Sequence, residues 1–201
     1  MTTREHTDED RVLQALLEGV EGWLDLPEAY LLRDLAKAVD NDVVEIGCFR
    51  GRSTIALCCG VVGSGRLVHS VDPHRAATGV YGGKFGPEDR EAYYRNLLGS
   101  GMAQSAALIN LTSAQAASAW NSPIGLLFLD GDHSYKATRL DVAIWGAHVV
   151  ASGFVVFDDA SDPTGGPGRT IQELIADGKY CTHAAVGKVH ALRKQVADGI
   201  H

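Results

Sequence analysis

No apolar run in this 201-residue chain approaches the roughly 18 residues that a bilayer-spanning helix requires. The opening MTTREHTDED is charged and has no apolar h-region of the kind a secretory signal carries. The expectation is a cytoplasmic protein. Positive charge is also scarce: 18 Lys and Arg stand against 25 Asp and Glu, a formal net charge of −7 with both signs mixed along the chain. That balance argues against a nucleic-acid backbone or an anionic membrane as the main partner and leaves a small molecule. The four cysteines, Cys48, Cys58, Cys59 and Cys181, form no C-x-x-C and no paired spacing. Buried free thiols in a reducing compartment are therefore expected, rather than a zinc site or a disulfide framework. There is no internal repeat and no low-complexity segment.

Glycine, by contrast, is abundant at 23 residues, which implies tight turns or close backbone approaches. The length suits one sizeable core, so residues 1–201 read as a single domain, with helices over 1–40 and the core over 41–201. Val12, Leu13, Leu16, Leu17 and Val20 keep helical spacing, and Leu31, Leu32, Leu35, Ala38 and Val39 do so after Pro27. Beyond Asp42, short apolar runs at 43–46, 66–71, 107–111, 124–129 and 153–157 alternate with helical stretches at 53–59, 88–98, 113–120, 135–149 and 169–176. Strands apolar on both faces and separated by helices predict a parallel sheet covered on each side. YCTHAAV and VHALR around Gly187 and Lys188 read as a terminal antiparallel hairpin, bringing the count to seven strands. The glycine-rich stretch 74–87 reads as a mobile loop near a ligand.

Ligands of open parallel sheets sit at the carboxyl ends of the strands. Here those ends read EIGCFRGRS, DPH, TSAQ, DGDHSY and DDASDP. Gly47 and Gly51, spaced G-x-x-x-G, allow close backbone approach, but the G-x-G-x-x-G of a pyrophosphate binder is missing. Asp72, ending the second run, is the type of residue that clamps the two hydroxyls of a ribose. With these motifs the chain resembles the class I S-adenosylmethionine-dependent methyltransferases. Through VVEIGCFRGRST, LFLDGDHSY and GFVVFDD it is similar to the metal-dependent O-methyltransferases of macrolide sugars and catechols. The resemblance runs from about Glu28 to Lys194 and implies a Rossmann-like, doubly wound α/β sheet with S-adenosylmethionine as cofactor. It places Glu45, Gly47, Phe49, Gly51 and Ser53 around the methionine part, Asp72 on the ribose and Ser113 at the adenine edge, with Asp130 between cofactor and metal.

Asp130 ends the fourth run and Asp158 and Asp159 the fifth, so three carboxylates converge at the ligand edge and call for a cation. Hard oxygen donors suit Mg²⁺ or Mn²⁺, and the resembling enzymes hold a metal with acids at these positions. His133, three residues past Asp130, is placed to take a hydroxyl proton as general base. Asp132 and Asp162 read as capping or turn residues. Trp120, Trp145 and Tyr135 read as core, and His74 and Lys84 as solvated loop residues. Arg169 is either a substrate contact or a capping or solvated residue.

The acceptor is a small molecule whose pocket falls to the variable segments 1–30, 74–90 and 160–170. Three rivals share the sheet: a metal-free N- or C-methyltransferase, a nicotinamide-dependent oxidoreductase and a non-catalytic adenosine-binding domain. The opening helices cover either their own sheet or that of a partner, which would make a homo-oligomer.

Overall fold

The computed structural model describes residues 7–79 and 82–196. Two helices, α1 (Asp8–Leu17) and α2 (Leu26–Lys37), precede β1 (Asp42–Ile46), α3 (Arg52–Val61) and β2 (Val68–Val71). Next come a small hairpin of β3 (Ala77–Thr78) and β4 (Lys84–Phe85), then α4 (Pro87–Gly99), β5 (Ala106–Ile109) and the short α5 (Ser113–Ala117). The chain continues through β6 (Ile124–Leu129), α6 (Tyr135–Trp145), β7 (Val149–Phe157), α7 (Gly166–Ala176), β8 (Tyr180–Val186) and β9 (Val189–Lys194). The main sheet has seven strands in the order β5-β2-β1-β6-β7-β9-β8. Its first five run parallel, and β9 pairs antiparallel with both β7 and β8. This is the Rossmann-like α/β architecture the strand pattern predicts.

Side chains of successive strand residues point to opposite faces, so each central strand feeds two cores. Val43, Leu126, Phe128 and Val156 pack under α1, α2 and α3. Val44, Leu127, Leu129 and Val155 pack with Val142 and Trp145 of α6 and Leu174 of α7. The sheet is thus buried on both faces, as continuous apolar strands require.

Element ends shift by up to four residues from the sequence reading, most at α6 and β7. The helix expected to reach Val149 ends at Trp145, capped by Gly146, and Val149 already pairs with Ile124 in the sheet. Ser152, at φ +63°, and a register shift between Ile124 and Leu126 then bend β7, so its two halves look like helix end and strand start in sequence. The loop 74–87 carries the β3–β4 hairpin; Val80 and Tyr81 of that loop lie outside the described residues.

The opening helices cover their own sheet. Leu13, Leu17, Leu32 and Leu35 are buried against α3 and the strands beneath. Arg52 of α3 donates to the carbonyls of Leu17, Val20 and Leu24, satisfying acceptors at the end of α1 and in the following turn. Arg33 of α2 meets Asp10 of α1 at 2.7 Å with both side chains almost wholly buried. Arg33→Ala would take the guanidinium away from that buried carboxylate and is expected to cost about 3–5 kcal/mol in urea unfolding. A loss within about 0.5 kcal/mol, the level of an ordinary surface substitution, would show that the pair does not hold α1 in place.

Candidate active site

The carboxyl ends of β1, β2, β6 and β7 open into one cleft of about 1040 Å³. Small-molecule sites run to about 1,000 Å³, so this one has room for a cofactor and a second molecule. The loop after β1 forms one wall. Gly47 takes φ +85°, and a Cβ there would lie 2.3 Å from the carbonyl oxygen of Asp130. At Gly51, φ +86°, it would lie 2.7 Å from Leu97. The G-x-x-x-G spacing therefore serves the chain's own close packing, while Gly47 also lines the cleft and Gly51 stands outside the lining.

Asp72 follows β2 and faces the cleft. Its Oδ2 accepts from the amides of Cys48 and Phe49, each at 3.1 Å, and its Oδ1 from the amide of His74 at 2.8 Å. A carboxylate offers about four acceptor positions, so one remains for a hydroxyl in the cleft. These bonds hold Phe49 and His74, both non-glycine residues at positive φ, in the turns that shape the wall. His74 is 4% exposed, and its Nε2 donates to the carbonyl of Phe49 at 2.7 Å. It is a wall residue, not the solvated loop residue expected; Lys84 is exposed.

Two expected cofactor residues are placed differently from the rest. Glu45 is fully buried beneath the loop and outside the cleft lining, because its position on β1 points it under α3. Its Oε2 accepts from Thr54 at 2.5 Å and Ser70 at 2.8 Å. Ser53, which lines the cleft, is another hydroxyl that favours its charged form. Ser113 also lines the cleft, but its hydroxyl donates to Asp141 and accepts from the Trp145 indole at 2.9 Å.

Burial pushes the Glu45 carboxyl up to about 7, against the hydroxyls that favour its charge. An acid raised on folding loses stability as pH rises from its unfolded value of 4.5 through about 7. Glu45→Gln is therefore expected to raise the melting temperature at pH 8, where the ionised form costs up to about 3 kcal/mol, and to change it little at pH 4. Equal shifts at both pH values would show that the carboxylate's charge is not the cause.

The acids after β6 and β7 do converge. Asp130 continues the β1–β6 pairing through its amide to Ile46, and Asp158 continues β6–β7 through its amide to Leu129. Asp159 follows at φ +49°. His133 lies in the same cluster, its Nε2 3.7 Å from Asp130 and 3.6 Å from Asp159. Desolvation, and next the charge of Asp158, push the Asp130 carboxyl well above the usual carboxylate range.

The sequence reading missed one member. Lys188, in the β8–β9 turn, places Nζ 2.5 Å from Asp158 and 3.1 Å from Asp159. Burial opposes its charge, but the bonds to Asp158 and Asp159 outweigh that and raise its pKa. The antiparallel hairpin was readable, and a lysine in its turn was the available signal.

Aromatic rings form the mouth. Phe49 packs 5.1 Å from Trp23 and 5.6 Å from Phe85 of the β3–β4 hairpin, centroid to centroid. None of the three rings was read from sequence as a unit, because they come from segments far apart in the chain. Trp145 is core as expected, and Trp120 packs edge-on against it, although Leu140 of the same helix faces the cleft. Tyr135 donates to Glu173, and the Arg169 guanidinium lies 4.0 Å from its ring centre, so Arg169 sits outside the cleft lining. Asp132 accepts from the Ser134 amide and Asp162 from Thr164, the turn roles expected of both. Among the described residues no helix is long and apolar enough to cross a membrane.

A seven-stranded Rossmann-like sheet with a large cleft at its strand ends, an acid closing β2 and a Gly-x-x-x-Gly turn after β1 define the class I S-adenosylmethionine-dependent methyltransferases. A methyltransferase-domain family model matches residues 44–160, and the chain belongs to that family; it is an S-adenosylmethionine-dependent methyltransferase. Solved structures share the fold at low identity. An O-methyltransferase from Bacillus cereus in complex with S-adenosylhomocysteine is 18% identical, with a TM-score of 0.64 over 92% of this chain and 90% of that one. The O-methyltransferase TomG from Streptomyces achromogenes, involved in tomaymycin synthesis and solved with S-adenosylmethionine, is 16% identical at 0.66 over 98% and 93%. The methyltransferase PaMTH1 of Podospora anserina, bound to S-adenosylhomocysteine, is 14% identical at 0.67 over 94% and 89%.

Proposed function

We propose that this chain methylates the hydroxyl oxygen of a small molecule such as a sugar, a catechol or a natural-product intermediate. The observation that carries the reading is His133, set beside Asp130 and Asp159 in the same cleft that Asp72 enters. S-adenosylmethionine supplies a methyl group on a sulfonium, which leaves as S-adenosylhomocysteine when an acceptor oxygen forms the new bond. The chain's own residues have three tasks. Asp72 and Ser53 offer the cleft a fixed carboxylate and a hydroxyl for holding the cofactor. His133 receives the acceptor's proton on its ring nitrogen, since a hydroxyl is a poor nucleophile until that proton leaves. Trp23, Phe49 and Phe85 cover the mouth and keep water from competing. Orientation in such a cleft supplies much of the rate.

A second reading keeps a divalent ion, Mg²⁺ or Mn²⁺, on Asp130, Asp158 and Asp159. It is favoured by ligand atoms of Asp130, His133 and Asp158 within 4.8 Å of one another, and by the buried Oδ1 of Asp158, which has no hydrogen-bond partner. Against it, Lys188 stands on both Asp158 and Asp159 and competes with an ion for the same carboxylates.

The test is product analysis after incubation with S-adenosylmethionine and a panel of hydroxyl, amine and activated-carbon acceptors. Methyl ethers are the expected products. Transfer confined to nitrogen or carbon acceptors would overturn the oxygen assignment.

A further inference from the structure

We propose that Lys188 is the resident cation of this acidic strand-end site, and that its ammonium, in place of a divalent metal, holds the acceptor hydroxyl beside His133. The inference deepens the methyl-transfer reading and rests on it. Three features support it.

The first is that the lysine is placed by the fold. β9 pairs antiparallel with β7, Phe157 opposite His190, and continuing that register sets Asp159 opposite Lys188. The turn is then held from two sides. Glu28 of α2 accepts from the Lys188 amide at 2.9 Å, and its other oxygen accepts from the Asp25 amide at 2.8 Å. Ala160 donates to the Lys188 carbonyl at 2.9 Å, and Ser161 donates to the Gly187 carbonyl at 3.2 Å. A Cβ at Gly187 would meet Glu28 at 2.3 Å, so the turn lies directly on that carboxylate. Glu28, 3% exposed, is thereby a positioning residue for Lys188.

The second is occupancy. An ammonium bonded to Asp158 and Asp159 fills the position from which a metal would reach the same oxygens at about 2.0–2.1 Å. Two cations repel at that range, so the ion and Lys188 exclude one another.

The third is capacity. An ammonium has three N–H donors. Two are used on Asp158 and Asp159, and Lys188 also lines the cleft, so the third is available to an acceptor oxygen. A single donor grips a single oxygen. The site then suits acceptors presenting one hydroxyl and has no need of the neighbouring oxygen that chelation of a metal requires. In the transfer the O–H proton passes to His133, the O–CH₃ bond forms, and the S–CH₃ bond breaks with its electron pair left on sulfur.

The test uses the full chain saturated with S-adenosylhomocysteine, saturation being confirmed by calorimetry, and Mn²⁺ followed by electron paramagnetic resonance. Wild type is expected to bind no Mn²⁺ more tightly than about 1 mM, whereas Lys188→Met gains one Mn²⁺ at least about 10-fold more tightly. Lys188→Arg, which keeps the charge, should stay without the ion and checks that the turn tolerates substitution. One equivalent of Mn²⁺ bound by wild type at micromolar concentration would overturn the proposal in favour of the metal site. So would a Lys188→Met protein that binds the cofactor product and gains no ion. Wild type that fails to bind S-adenosylhomocysteine would instead overturn the methyl-transfer reading.

Discussion

Asp72→Ala is expected to weaken binding of S-adenosylhomocysteine at least about 100-fold, because hydrogen bonds to a charged group contribute about 1.5–3 kcal/mol each and this carboxylate is lost to ligand and wall together. Its two oxygens hold the amides of Cys48, Phe49 and His74. With those donors released, Phe49 and His74 have less reason to keep positive φ, and the loop after β1 relaxes away from the cleft. Calorimetric titration reads the affinity. A thermal melt beside it separates a local loss from general unfolding, since the turn is small against the two cores. Asp72→Asn keeps one acceptor oxygen and should fall between wild type and Ala. An unchanged dissociation constant in Asp72→Ala would remove this residue from the cofactor site.

His133→Ala should lower kcat by about 10²–10⁴-fold, the range for loss of a positioned general base, with the KM for S-adenosylmethionine nearly unchanged. The side chain stands at the start of α6 with Ser134 as the cap, so the helix keeps its hydrogen-bonded start when the imidazole goes. That makes the split between kcat and KM informative. A variant as active as wild type would assign proton removal to another group; one that lost cofactor affinity to the same extent would make His133 a structural residue.

Legibility in the sequence followed physical range. β6 and β7 pair in parallel and are followed by Asp130 and by Asp158 and Asp159, so parallel order alone brought those acids together. Asp72 was legible for the same reason, at the end of β2. Glu45 was misplaced because a motif gives neighbours in sequence but not the face of the strand, and β1 sends this side chain under α3. The hairpin turn that carries Lys188 was legible, but its landing beside Asp158 and Asp159 depends on the β7–β9 pairing and on Glu28, 160 positions away, and neither leaves a local pattern. The rings at the mouth share that difficulty, with Trp23 and Phe85 62 residues apart in the chain (85 − 23) and meeting only in the folded protein.

The turn between β8 and β9 also bears on how the sheet comes together. Pairing β6 with β7 brings Asp130 beside Asp158 and Asp159, and the counter-charge of Lys188 comes only through the docking of β9 on β7. A central sheet lacking the hairpin would hold those acids against one another at neutral pH. Partly assembled forms are thereby disfavoured relative to the complete one, and the edge hairpin makes folding of the central strands more nearly all-or-none.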